Sequence, residues 1–172
     1  MTTIGDVLAI IAALIGLGLT TWALLVSCAL LFPRKVNRAW VACELNVRTN
    51  MALGIVMLLP ALLALTMLGN PHPLLKVLGA VILLGDLSFA AIGAAGLGYI
   101  AGDQIRRMDP SLGEYSAYLR GSAFLVTASM LPILGWFVVG PAILLASLGG
   151  GLRAVAGKVP TLSHSHVPDP IL

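Results

Sequence analysis

The sequence predicts an all-α, polytopic membrane helical bundle with three full spans and a broken fourth helical hairpin, the alternative being four spans. Three observations carry that reading. Of 172 residues, 59% are hydrophobic and 10% charged, against about 45–50% and about 25% in soluble domains. The mean hydropathy is +1.01. The apolar residues gather in four long stretches, roughly 4–32, 50–69, 74–101 and 121–150, each compatible with the ~20 residues of a helical crossing. Residues 1–157 therefore read as one integral-membrane helical domain, with no room for a soluble one, and residues 158–172 as a flexible tail containing Pro and His.

The first stretch, "MTTIGDVLAIIAALIGLGLTTWALLVSCALLFP", lacks the basic leader of a cleaved signal peptide, and its apolar run is about twice as long as a signal core. It reads as a retained first span. Cys28 within it and Cys43 after it make neither a disulfide framework nor a metal spacing, so both read as free thiols. The first connector, "PRKVNRAWVACELNVRT", sets Val36, Trp40, Cys43 and Val47 at helical spacing, with Arg34, Asn37, Arg38, Glu44 and Arg48 mostly opposite. That pattern predicts an amphipathic helix on the membrane surface, Trp40 at headgroup depth. The alternative is a water-exposed extension of the second span.

The second connector, "GNPHP", predicts a tight turn, since Pro cannot continue a helix and Gly69 or Asn70 can cap one. Spans two and three then form an antiparallel hairpin. The third, "GDQIRRMDPSLGEYSAYLR", mixes three acids with three bases around Pro110 and Gly113. It predicts a polar loop with amphipathic ends, whose Tyr115 and Tyr118 return the chain to the interface.

The fourth stretch is interrupted by Pro132 and Gly135 and again by Gly140 and Pro141. As helix, residues 121–131 reach only about 17 Å, short of a ~30 Å hydrocarbon core, and neither half spans comfortably alone. Two readings follow: one kinked crossing, or a hairpin turning at Leu131 to Trp136. Arg34, Lys35, Arg38 and Arg48 crowd the first connector and Arg106, Arg107 and Arg120 the third, which places both in the cytoplasm and the N-terminus outside. A hairpin returns Arg153 and Lys158 to the same side and is preferred for that reason.

One carboxylate, Asp86, lies within "VILLGDLSFAAIGAAGLGYIAG". At four-residue intervals it heads a stripe of Ala90, Ala94, Gly98 and Gly102, small residues suited to close helix packing, while Ile92 lies on another face. An ionised carboxylate near mid-membrane is costly, so Asp86 faces protein, either hydrogen-bonded or protonated. Candidate partners are Thr20, Thr21, Ser27, Thr66, Thr127, Ser129 and Trp136. The structural reading is an interhelical hydrogen bond. The functional one is a proton- or cation-handling site in a small transporter.

No catalytic or metal constellation emerges. His164 and His166 supply at most two ligands in a tail, and His72 sits between prolines without an acidic or Cys neighbour in sequence. The glycines of "GLGY" and "LGGGLR" do not fit a phosphate loop. A net charge of +3 is too small to point to nucleic acid and is topological in use. The expected partners are the lipid bilayer and a protein partner or second copy of the chain. No cofactor is implied.

"LLFPRKVNRA", "LGNPHPLL", "LGYIAG", "LRGSAFLVTASMLPILGW" and "LGGGLRA", with Gly54 and Pro60 between the first two, occur in an order that resembles the integral-membrane domain found C-terminal to bactofilin-type β-helices. That domain belongs to bacterial polymer-forming cytoskeletal proteins. The likeness covers about residues 20–155 and consists mostly of Gly and Pro punctuation. The turn carries an added His72-Pro73, and no bactofilin repeat is present. The resemblance implies a bacterial inner-membrane protein with an anchoring or organising role and transfers no site residue.

Overall fold

The structure, a computed structural model, describes residues 4–45 and 47–157. Six α-helices follow one another: α1 (Ile4–Leu31), α2 (Pro33–Leu45), α3 (Val47–Leu68), α4 (Pro73–Met108), α5 (Glu114–Met130) and α6 (Gly140–Ala156). A π-helical turn, Gly135–Val139, leads directly into α6. Among the described residues four segments are long and apolar enough to cross a membrane: Gly5–Leu31, Val47–Leu68, Pro73–Met108 and the continuous Gly135–Ala156. The chain is a multi-pass membrane protein.

Proline and glycine set the boundaries. Pro33 opens α2 with only Phe32 between it and the end of α1, and the Phe32 carbonyl accepts the amides of Lys35 and Val36. The turn between α3 and α4 is as tight as predicted. Asn70 Oδ1 accepts the His72 amide at 3.2 Å, and Pro73 stands at the start of α4, where its missing N–H is harmless.

Three expectations are corrected. First, residues 103–120 are mostly helical: α4 runs on to Met108 and α5 begins at Glu114, so the loop is only 109–113. The i,i+4 pair Asp103–Arg107, 2.9 Å apart, supports the extension of α4. Asp109 Oδ1 accepts the Ser111 amide at 3.2 Å, an Asx turn that ends the helix.

Second, α2 is not laid on lipid. Val36, Ala39, Ala42 and Cys43 are buried against α4 and α6, while Trp40 is half-buried and Val47 exposed. Two larger helices cover the face that pattern alone assigned to the bilayer. Third, the second interruption in the last stretch does not break the helix. Pro141 falls in the first turn of α6, and the π-helical turn absorbs the register change there. Gly135–Ala156 is thereby 22 residues long, enough to span alone.

The first interruption is where Pro132 predicts it. The chain bends so sharply after Met130 that a Cβ on Gly135 would lie 2.7 Å from the Ala128 carbonyl oxygen. The two arms then diverge, each packing on α4.

The core combines branched aliphatic side chains with alanine. Leu25, Val36, Ala39, Ile92, Ala95, Val126 and Ala154 form its buried cluster. Ile92, assigned above to another face, is therefore central. Around this cluster, helix backbones touch at glycines. A side chain on Gly93 would collide with the Ser147 backbone, one on Gly54 with Leu145, one on Gly96 with Ala39 and Trp40, and one on Gly121 with Gly102. The triplet Gly149, Gly150, Gly151 is the clearest case. Successive residues on a helix point about 100° apart, and these three face Asn50 of α3, Cys43 of α2 and Phe89 of α4 respectively. Three adjacent glycines are what a helix needs where three neighbours converge on one turn of it.

Candidate functional site

Three helix faces enclose a cleft of about 810 Å³ at the end of the bundle that carries the first and third connectors. α2 contributes Asn37, Trp40, Val41 and Glu44, and α4 contributes Tyr99, Gly102, Asp103 and Arg106. Each set falls at i, i+3, i+4 and i+7, one stripe of one helix. Glu114, Ala117 and Tyr118 of α5 close the third side, with Arg107 at the rim. Gly102 lets α5 approach, since a Cβ there would stand 2.9 Å from the Ala117 carbonyl oxygen.

The aromatic wall is fixed by hydrogen bonds. The Tyr118 hydroxyl donates to the Leu25 carbonyl at 2.8 Å, and its ring packs on Tyr99 with centroids 4.4 Å apart. Tyr118 is buried rather than interfacial, a correction to its predicted place. Beside it, Trp22 Nε1–H is shared between Ser122 Oγ at 3.1 Å and the Leu119 carbonyl at 3.3 Å. These bonds tie α1 to α5. The charged lining holds both signs: Arg107 is paired with Asp103, and Arg106, Glu44 and Glu114 complete it.

Asp86 lies away from this cleft. It is 7% exposed, and its Oδ2 is buried with no hydrogen-bond partner. The predicted hydroxyl partners point elsewhere. Thr20, Thr21, Thr66, Thr127 and Ser129 donate to carbonyls of their own helices at 2.7–2.8 Å, Ser27 is exposed, and Trp136 is 61% exposed. A helical Ser or Thr always has a carbonyl three or four residues back within reach, and here that local acceptor wins over the distant carboxylate. Of the stripe below Asp86, Gly98 and Gly102 are buried against α5, and Ala90 and Ala94 are half-buried.

A second polar group has no counterpart in the sequence reading. Asn50, fully buried, donates through Nδ2 to the Ala42 carbonyl at 2.7 Å, and Arg153 donates to its Oδ1 at 3.0 Å. Asn50 thus locks α2, α3 and α6 together. Cys43 stands beside this clamp, its thiol 3.8 Å from the Ala146 carbonyl. Burial pushes the thiol up to about 11, and the nearby Arg153 charge only partly opposes this. Cys43 is an inert packing residue at neutral pH. The available signal for Asn50 was an amide at the head of an apolar stretch, where leaving a buried polar group unpaired is costly.

Among the described residues no three His, Cys, Asp or Glu side chains converge as a metal site would require. His164 and His166 lie outside the described residues. Comparison with protein-family models, with curated proteins and with solved structures finds no match.

Proposed function

We propose that this chain is a structural protein of the bacterial inner membrane, one that anchors or organises a partner and catalyses no reaction. One observation carries the reading: the interior is closed by backbone against backbone, at Gly54, Gly93, Gly149 and Gly151. Intramembrane hydroxyls beside it are turned onto their own helices. Such an interior supports a fixed shape better than a moving path. The resemblance to the membrane domain that follows bactofilin β-helices agrees with an anchoring role. The partner is a protein or a second copy of the chain, held from the cytoplasmic side, where the cationic connectors lie under the positive-inside rule.

A second reading has its own support. The unpartnered Oδ2 of Asp86 suits a proton- or cation-handling group of a small transporter or channel component. Reconstitution into vesicles loaded with a pH-sensitive dye separates the two. The structural reading expects no pH-dependent flux and full assembly of Asp86→Asn. Flux in the wild type that Asp86→Asn abolishes, with assembly intact, establishes the transport reading instead.

A further inference from the structure

The cleft between α2, α4 and α5 has a charge pattern that the structural reading does not use. Its lining carries two guanidinium groups, Arg106 and Arg107, and three carboxylates, Glu44, Asp103 and Glu114, around the aromatic rings of Trp40 and Tyr99. An anion meets repulsion from the carboxylates, and a simple cation meets it from the arginines. A ligand bearing both charges a few bonds apart complements both sets. The surroundings add a second constraint. The apolar run of α4 gives way to charge at Asp103, three residues before the stripe that lines the cleft ends at Arg106, and α2 brings Arg34, Lys35 and Arg38 to the same end. That change from apolar to cationic is the signature of headgroup depth, where Trp and Tyr also concentrate.

We infer that this cleft holds the headgroup of a zwitterionic, amine-bearing phospholipid. The phosphate is met by Arg106, at the end of the α4 stripe, as guanidinium groups suit phosphate oxygens. The ammonium is held by Glu44 and Glu114 over the faces of Trp40 and Tyr99, where carboxylates accept its N–H groups and the rings attract its charge. The volume of about 810 Å³ is within the range of small-molecule sites. Acyl chains then run along the apolar flank of the bundle. The inference stands apart from the anchoring role and from Asp86.

The test is native mass spectrometry of the full chain purified in detergent, offered equal amounts of short-chain phosphatidylethanolamine and phosphatidylglycerol. The wild type is expected to retain phosphatidylethanolamine about tenfold better, the effect of one or two charge-assisted hydrogen bonds. Glu44→Gln with Glu114→Gln abolishes the preference, and Arg106→Gln lowers retention of both lipids about tenfold. Arg38→Gln, exposed and outside the cleft, changes neither. If the double variant unfolds, Glu44→Gln alone, on an exposed residue, halves the preference or better. Equal retention of both lipids by the wild type overturns the inference, as does a preference untouched by the carboxylate variants. Displacement of the lipid by soluble phosphoethanolamine at equal concentration overturns the assignment to a membrane lipid.

Discussion

The two halves of α4 are built by opposite rules. From Ile92 to Gly102 the helix is enclosed: Gly93 lies against α6, Gly96 against α2, and Gly98 and Gly102 against α5. From Leu74 to Leu87 it is largely bare, with Leu74 83%, Val77 65% and Leu84 64% exposed. Lipid solvates apolar side chains as well as protein does, so hydrophobicity cannot tell these halves apart. Residue size can. Where three helices converge the sequence turns to glycine, and where lipid is the neighbour it turns to leucine and valine.

If that difference governs stability, the largest effect follows from filling the convergence point on α6. Replacing Gly149, Gly150 and Gly151 together by Ala drives three methyl groups into α3, α2 and α4. Overpacking costs about 1–3 kcal/mol per site, and more where backbone must move. No folded monomer is expected by size-exclusion chromatography in detergent. A monodisperse triple variant breaks the comparison at its strongest point.

The polar clamp comes next. Asn50→Ala removes the bond to Ala42 and leaves the Arg153 guanidinium without its Asn50 acceptor, an expected loss of about 1–3 kcal/mol. Asn50→Asp retains an acceptor for Arg153 and is expected to lose less. Thermal unfolding of the two variants in one detergent gives the order. Tyr118→Phe, which removes only the hydroxyl bond to Leu25, is expected to cost about 0.6–2 kcal/mol.

Cys43 sharpens the comparison chemically. Its thiol is raised from an ordinary 9.0 to about 11 by burial, so the folded protein holds that proton more tightly than the unfolded chain does. The resulting stability is fully present below pH 9 and declines as pH rises from 9 toward 11. Maleimide labelling at pH 8 is expected to be slow at Cys43 while the protein is folded and fast after denaturation. Rapid labelling of folded protein would show that α2 is not seated as described. The smallest effect belongs to the surface pair Asp103–Arg107. Asp103→Asn is expected to change stability by no more than about 0.5 kcal/mol, as exposed ion pairs contribute little.

The spans were legible because composition and punctuation agree. The stretches expected at 4–32, 50–69 and 74–101 overlap α1, α3 and α4, with Pro33 and Pro73 at the boundaries. The neighbours of each face were not legible. A four-residue stripe through Asp86 describes a helix with one partner, yet α4 packs on α1, α2, α3, α5 and α6. Glycines at 79, 93 and 96 answer to partners the stripe does not contain. For α2, an amphipathic pattern separates apolar from polar but is silent on whether lipid or protein meets the apolar side. Asp86 was legible as an anomaly. Its hydroxyl partners were not, because the sequence does not show that each hydroxyl prefers its own helix.

The most direct test of the account is an alanine substitution at each of the six glycines of α4, with thermal midpoints measured in a single detergent. Gly93 collides with the Ser147 backbone, while Gly79, Gly96 and Gly102 have backbone atoms within 2.8–2.9 Å of the added carbon. Gly98 meets chiefly a Tyr118 ring carbon at 3.1 Å, and Gly85 meets nothing within 4 Å. The predicted order is a large fall for Gly93→Ala, intermediate falls for Gly79→Ala, Gly96→Ala and Gly102→Ala, and a small one for Gly98→Ala. Gly85→Ala is expected to rise slightly, since Ala favours helix over Gly by about 1 kcal/mol. Equal midpoints for Gly85→Ala and Gly93→Ala would contradict the claim that backbone contact at glycine holds this bundle together.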